Sequence, residues 1–214
     1  MLRCLWPAIL PSCLACSTPA AAEQPALQTC VGGSEFAITV LVANRAAVPT
    51  ATMGETESKA GWILCKAGFS ITWVDCPFST EPADAGSPCG ATLGGTTFLV
   101  RITRDHVLHH GPVRDTALGF ANVTPDGGRY ATVLMDSVEE FAQRQQLSKS
   151  QVLVHVVAHE MGHMLMGSNS HSSRGLMRAG WKASELREMA ELSLLFSTEE
   201  VERMRVRIAA TLHR

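Results

Sequence analysis

The chain has 214 residues, of which 18 are Lys or Arg and 20 are Asp or Glu, giving a formal net charge of −2. This near balance gives no basis for nucleic acid or an anionic membrane as a partner, and one Tyr with seven Phe leaves few rings for a base-stacking surface. The length fits a single domain with a sizeable core once a short leader is removed.

The first 22 residues have the pattern of a secretion signal that is removed from the mature protein. Arg3 supplies the positive charge, residues 5–14 are mostly apolar, and Ala20-Ala21-Ala22 forms a small-residue cleavage site before Glu23. A lipoprotein site ending at Cys16 is the alternative. No later segment reaches the roughly 18 consecutive apolar residues of a membrane helix, so we expect a soluble protein that is secreted or periplasmic.

Four cysteines remain after the leader: Cys30, Cys65, Cys76 and Cys89. An even number of cysteines in an exported chain predicts two disulfides, for which three pairings exist. Cys76 and Cys89 flank a segment rich in Pro, Ser and Gly, so we predict that these two pair and that Cys30 pairs with Cys65. Metal binding by the thiols is the alternative, but the four lack any Cys-x-x-Cys pair.

Residues 36–146 combine five predicted strands with two predicted helices, which predicts an α/β (α+β) domain with a small, mixed, twisted sheet. Strands are expected where Val, Ile, Leu and Thr cluster, and helices where apolar residues recur at helical spacing. The turn-forming Thr-Pro-Asp-Gly-Gly-Arg at 124–129 joins two of the strands into a hairpin. The predicted elements in chain order are strand 36–43, helix 52–67, strand 70–75, strand 97–103, strands 118–123 and 130–135, and helix 138–146.

The next apolar run, at 152–157, continues into a His-Glu-Met-Gly-His segment and predicts one half-buried helix. Residues four apart lie on one helical face, so His159 and His163 can bind the same metal ion. Glu160 lies beside them, where it can accept a proton from a zinc-bound water. His155 is in step with both histidines, but two helical turns place it about 11 Å from His163, which predicts a core or supporting role.

The residues after this helix offer the third protein ligand that a catalytic zinc site needs. Gly167 ends the helix and lets the backbone turn back, and His171-Ser172 and then Leu176-Met177 follow. This segment, together with His-Glu-x-x-His, resembles the metzincin clan of zinc peptidases, and its ending resembles that of the matrixins. The usual spacing of the clan puts the third histidine at position 169, where this chain has Asn169, so the loop to His171 is two residues longer. Asn169 is the alternative ligand, although its neutral amide oxygen suits zinc poorly.

The resemblance implies a zincin fold for residues 23–214, with an upper subdomain at 23–167 and a mainly helical lower subdomain at 168–214 after the Met-turn. It implies one catalytic Zn²⁺ bound by His159, His163 and His171, with Met177 as an apolar floor beneath the metal. It also implies that the strand at 118–123 is a sheet edge to which an extended peptide adds as a further strand; a covered hairpin strand is the alternative. The residues assigned to substrate contact are Leu118, Gly119, Phe120, Ala121 and Trp181. Residues Arg178 to Trp181, just past the Met-turn, are expected to wall the pocket for the side chain after the cleaved bond, and a place in the core is the alternative for Trp181.

These features predict a secreted zinc endopeptidase that acts as a monomer on peptide or protein substrates, with Glu160 as general base. The single tyrosine, Tyr130, precedes Met177, so the oxyanion would be stabilised by zinc and by backbone amides of the edge strand. One alternative is a secreted zinc-containing binding or structural module without peptidase activity, and another is a non-peptide hydrolase with the same zinc-water chemistry. Glu160 argues against the structural module, because a structural zinc site needs no base.

The remaining motifs have simpler interpretations. His106, His109 and His110 form a second cluster, either a polar surface loop or another metal-binding or substrate-contacting group. Asp126-Gly127-Gly128 fits a tight turn better than a calcium site. Residues 197–200 resemble a capping box that starts a helix. The apolar stripe that predicts docking of this helix consists of Val201, Met204, Ile208 and Leu212.

Overall fold

The computed structural model describes residues 36–77, 88–90, 93–104, 117–123 and 128–213. These residues contain a five-stranded sheet in the order β2-β1-β3-β5-β4, together with five α-helices. The strands are β1 (Phe36–Asn44), β2 (Phe69–Asp75), β3 (Thr97–Thr103), β4 (Gly119–Asn122) and β5 (Tyr130–Leu134). The helices are α1 (Thr50–Lys66), α2 (Met135–Gln145), α3 (Lys149–Met166), α4 (Ala183–Ala190) and α5 (Thr198–Leu212).

The sheet is mostly parallel, which confirms the mixed α/β fold class. β1 pairs in parallel with β2 and with β3, and β3 pairs in parallel with β5. Only β4, among the described strands, runs antiparallel; it pairs with β5 in the predicted hairpin and lies at the edge of the sheet. The internal position of β1, between β2 and β3, explains its composition, since a strand inside a parallel sheet is apolar along most of its length.

The hydrophobic core joins one face of the sheet to α1 and α3. Phe36, Ile38 and Val40 of β1 and Phe98 and Val100 of β3 are all buried in one cluster with the apolar residues of both helices. Each such side chain contributes about 1.5–3 kcal/mol to folding by leaving water. α1 and α3 pack against each other, and α3 also contacts β4 and β5, so the core positions α3 beside the edge of the sheet.

α3 is the most deeply buried helix of the described residues, and its ends are set by local chemistry. At its start, Ser148 and Gln151 form a capping box, with the Gln151 amide donating to Ser148 Oγ at 3.1 Å and the Ser148 amide donating to Gln151 Oε1 at 2.9 Å. Every residue from 152 to 166 is buried. Gly167 ends the helix in the left-handed region with φ 64°, where glycine has no Cβ to strain, as the sequence predicts.

The other predicted elements agree with the structure in type and lie within a few residues of their predicted bounds. The strand at 97–103 has the predicted limits, and α2 begins three residues earlier than predicted, at Met135 rather than Val138. The capping box at Ser197 and Glu200 is present at the start of α5. α4 and a short 3₁₀ helix at Pro88–Gly90 are additional elements, since the sequence indicated only that the chain beyond Met177 is helical.

Cys76 and Cys89 form the predicted disulfide, with their Cα atoms 5.5 Å apart. Cys65 is also disulfide-bonded, but Cys30 lies outside the described residues, so the pairing of these two stays a prediction. The leader at 1–22, the histidines at 106, 109 and 110, and residues 126–127 of the expected turn also lie outside them. Within the described ranges, every helix is too short or too polar to cross a membrane.

Candidate metal centre

His159 and His163 point the same ring nitrogen toward a common point. Their Nε2 atoms are 3.1 Å apart, while the Nδ1 atoms contact backbone carbonyls, His159 at Leu176 O (2.7 Å) and His163 at Ser168 O (2.8 Å). A carbonyl oxygen only accepts hydrogen bonds, so each Nδ1 carries the proton and each Nε2 keeps a free lone pair. This is the arrangement that orients metal-binding histidines in proteins.

His171 completes a cluster of three. Its Nε2 lies 3.2 Å from His163 Nε2, and potential ligand nitrogens of His159, His163 and His171 all lie within 4.8 Å of one another. A tetrahedral zinc bound at 2.0–2.1 Å requires ligand nitrogens about 3.3 Å apart, close to the 3.1 and 3.2 Å found here. Lone pairs that face each other at this distance repel unless a cation lies between them, so the residues present fit a zinc ion.

The electrostatics of the two helical histidines also suit a cation. Burial lowers the pKa of His159 to about 3, helped by the neighbouring His163 and His171. Burial lowers the pKa of His163 to about 4, with a further decrease from His171. Both rings are therefore neutral at pH 7, and the neutral imidazole is the form that binds metals.

Two other residues considered as ligands have different positions. His155 is fully buried one turn earlier on α3, donates from Nδ1 to Gln151 O at 2.7 Å, and is not part of the cluster of three. This agrees with the core role expected from its spacing. Asn169 lines the same cavity as the cluster. His171, two residues further on, is the residue whose ring nitrogen reaches His163.

Glu160 lies beside the cluster, between α3 and the edge strand. Its residue exposure is 4 %, and its Oε2 has no hydrogen-bond partner among the described residues. Burial raises the pKa of Glu160 to about 8. A buried carboxyl oxygen without a partner is costly, so the free Oε2 is a local signal that the site is built to contact something beyond the described residues.

Met177 packs beneath this part of α3. A Cβ at Gly162 would lie 2.5 Å from Met177 Sδ and 2.7 Å from Phe196 Cε1, so glycine within the His-Glu-Met-Gly-His segment permits this close approach. Met177 is fully buried. Two hydrogen bonds hold the turn that carries Met177: Ser172 N donates to Met177 O at 2.9 Å, and His159 on α3 donates to the Leu176 carbonyl.

A cavity of about 540 Å³ opens beside the three histidines and Glu160. The residues predicted to contact substrate all line it: Leu118, Gly119, Phe120, Ala121 and Trp181. Trp181 is half-buried, donates from Nε1 to Leu176 O at 3.1 Å, and has its ring centroid 5.8 Å from that of His159. It therefore contributes both to the packing around the site and to the cavity wall.

Phe141 of α2 and Val156 of α3 also line the cavity, as does Arg178, which belongs to the segment expected to wall the pocket. Nothing in the sequence indicated that Phe141 and Val156 would reach the site. Phe141 packs edge-on against Trp181, with ring centroids 6.2 Å apart. Its signal in the sequence was only that of an apolar position on an amphipathic helix, which does not indicate which neighbour it meets. Arg178 donates to the buried Glu185 at 3.4 Å.

The chain matches no protein-family model and no curated protein. Among solved structures it is similar to archaemetzincin from Methanopyrus kandleri, with 17 % sequence identity and a TM-score of 0.49. The alignment covers 85 % of this chain and 98 % of that one. Identity this low transfers no residue role and no activity to the present chain.

Proposed function

We propose that this protein is a secreted or periplasmic zinc endopeptidase of metzincin type. One Zn²⁺ would be held by Nε2 of His159, His163 and His171. The observation that carries the proposal is the convergence of three ring nitrogens, two of them fixed as lone-pair donors by backbone carbonyls, beside a buried carboxyl group and an open cavity. When bound, zinc acts as a Lewis acid that makes water a better nucleophile near neutral pH and polarises a carbonyl.

Glu160 supplies the proton transfer in this proposal. Its carboxylate accepts a proton from the attacking water and passes it to the amine that leaves when the peptide bond breaks. The free Oε2 and the contact of Glu160 with the cavity support this role. A carboxyl group with a pKa of about 8 is mostly protonated at pH 7, but a nearby divalent cation stabilises the carboxylate and lowers that pKa.

The substrate is proposed to be an extended peptide that lies along β4. β4 is the last strand in the sheet order, and Leu118 to Ala121 line the cavity. An edge strand offers backbone donors and acceptors to a peptide in β conformation, while side-chain pockets select its sequence. Trp181 would form one wall of the pocket for the side chain that follows the cleaved bond. A single domain at 23–214 that acts as a monomer remains part of the proposal.

A zinc-containing module without activity is the main alternative. Structural zinc sites are usually closed by four protein ligands. Here three candidate ligands from the described residues border a cavity together with an unpartnered carboxyl oxygen. This combination favours catalysis, and it fits a hydrolase of peptides or of other carbonyl compounds.

Glu160→Gln tests the proposal, because the amide keeps the size of the side chain but cannot act as a base. The variant should bind one zinc per chain, as the wild type does, and lose at least about a hundredfold in cleavage of a diverse peptide library. Glu57→Gln, which changes a half-buried carboxyl group on α1 away from the cavity, is the matched control. It should cleave like the wild type.

Three outcomes separate the candidate functions. Cleavage by the wild type that a chelator abolishes supports the peptidase. One bound zinc without any cleavage supports the inactive module, and chelator-sensitive hydrolysis of ester substrates alone supports the non-peptide hydrolase. Undiminished peptide cleavage by Glu160→Gln would remove Glu160 from the mechanism.

A further inference from the structure

We infer that Ser172 and Glu200 are positioning residues that hold His171 in place for metal binding, so that α5 is part of the metal site. The inference rests on the proposed role of His171 as third ligand. Ser172 directly follows His171 in the chain, and its Oγ donates a hydrogen bond to Glu200 Oε1. Glu200 lies on α5, 28 positions further along the chain.

The carboxylate of Glu200 does more than cap its own helix. Its Oε2 accepts from the Ser197 amide at 2.7 Å, and the Glu200 amide donates to Ser197 Oγ at 3.3 Å, which completes the capping box of α5. A capping box uses only one carboxyl oxygen. The second oxygen is bonded to Ser172, and the residue is 2 % exposed. Because Glu200 is buried, water does not compete for either carboxyl oxygen, and both hydrogen bonds are stronger than they would be at the surface.

The loop that carries His171 needs such an anchor. Residues 168–171 have no helix or strand, and His171 is exposed, so the position of its ring depends on the backbone of the loop that carries it. The bonds that fix the loop flank the histidine. On one side Arg203 of α5 donates to Ser170 Oγ at 3.4 Å, and on the other Ser172 bonds to Glu200 and to Met177 O. α5 therefore contacts the loop immediately before and after His171.

Holding a ligand in its binding geometry lowers the entropy that metal binding must overcome. Outer partners of metal ligands typically change metal affinity by 10- to 100-fold when removed. Here the partner acts through the backbone of the neighbouring residue, since Ser172 orients the peptide that leads into His171. The Ser172–Glu200 bond should thus raise zinc affinity without touching the ion.

The experiment measures the Kd for Zn²⁺ alone, by competition with a chromophoric chelator, in Ser172→Ala. We expect zinc to bind about 10- to 100-fold more weakly than in the wild type, and Ser172→Thr, which keeps the hydroxyl group, to restore the affinity. The absorption spectrum of the Co²⁺-loaded protein provides a second readout, because a displaced third ligand changes the coordination geometry. Ser197→Ala is the matched control: it removes the cap of α5 but leaves the Ser172–Glu200 bond.

A double-mutant cycle with Glu200→Ala tests whether the two residues act as a pair. The double variant should lose no more zinc affinity than the weaker-binding single variant, because either change breaks the same bond. Additive losses would overturn the inference, as would equal losses in Ser172→Ala and Ser197→Ala, or a Kd for Ser172→Ala within twofold of the wild type. If Ser172→Ala binds zinc like the wild type but His171→Ala binds it more weakly, only this inference is refuted. If His171→Ala itself binds zinc with wild-type affinity, the proposed ligand set is refuted.

Discussion

Gly119 leaves room for the carboxyl group of Glu160 at the edge of the sheet. A Cβ at this position would lie 2.9 Å from Glu160 Oε1, 3.1 Å from Glu160 Cγ and 2.9 Å from the backbone oxygen of Thr132. One of these atoms belongs to the backbone of β5, so it cannot simply rotate away. The absence of a side chain at 119 is thus a condition for Glu160 to lie beside both β4 and the three histidines.

Gly119→Ala should reduce peptide cleavage at least tenfold while zinc remains bound, because the added methyl group displaces the Glu160 carboxylate from its position by a fraction of an ångström or more. kcat and zinc content of the purified variant are the measurements. Gly94→Ala is the matched control, since a Cβ there meets nothing within 4 Å. Wild-type kcat in Gly119→Ala would show that the position of Glu160 tolerates this change.

The relative position of His159 and His163 can be predicted from the sequence, whereas the position of His171 cannot. His159 and His163 are related by helical periodicity, which fixes their relative position once the helix is recognised. His171 lies in a loop, and no periodicity fixes a loop. Its position depends on the carbonyl of Ser168, on Met177 and on α5, and these long-range contacts are not readable from local spacing.

At the scale of the elements, α3 meets α1 around His155. The His155 ring is fully buried, its Nδ1 donates to Gln151 O, and its Nε2 has no partner among the described residues. Burial, and more weakly the positive charge of Lys59, lower the pKa of His155 from 6.5 to about 4. Lys59 is itself paired with Glu55, at 2.5 Å.

The depressed pKa of His155 makes the α1–α3 interface sensitive to acid. Below pH 6.5 the His155 ring takes up a proton in the unfolded chain, whereas in the folded chain it does so only near pH 4. The stabilising contribution is therefore complete above pH 6.5 and is lost as the pH falls toward 4, by up to about 1.4 kcal/mol per pH unit. In His155→Leu, urea unfolding of the metal-free protein should lose this part of the pH dependence. Parallel stability curves for the variant and the wild type between pH 6.5 and 4 would contradict it.

Local sequence signals predict element types better than they predict how elements meet. β3 has the predicted limits because Thr97–Thr103 alternates buried and half-buried positions within a strongly β-forming segment. α4 was not distinguished because eight residues with Glu185 and Met189 as the buried positions give too short a repeat to identify. Apart from the β4–β5 hairpin, the order β2-β1-β3-β5-β4 comes from pairings between strands that other elements separate in the sequence, and no local pattern specifies these.

At the scale of the whole molecule, the three histidines come from a buried helix and from an exposed loop. His159 and His163 lie on α3, which is buried at every position from 152 to 166. His171 lies on an exposed loop that is fastened to α5 through Ser172 and Glu200. α5 in turn packs on α3 and reaches β1. A cation bound to all three histidines would link the loop, and through it α5, to α3 and the core.

Removal of zinc should therefore loosen the loop and α5 while leaving the sheet intact. By mass action, zinc at a hundred times its Kd should add about 2.7 kcal/mol to the free energy of unfolding, measurable by urea titration with and without chelator.

Hydrogen exchange should locate the effect: amides at 168–178 and in the first turn of α5 should exchange faster with chelator, and those of β1 and β3 should not change. His171→Ala serves as control, because without the third ligand the chelator should have little effect on either measurement. An ion that binds only the folded state must stabilise it. Equal free energies of unfolding for the wild type with and without zinc would therefore mean that zinc does not link the three histidines in the folded protein.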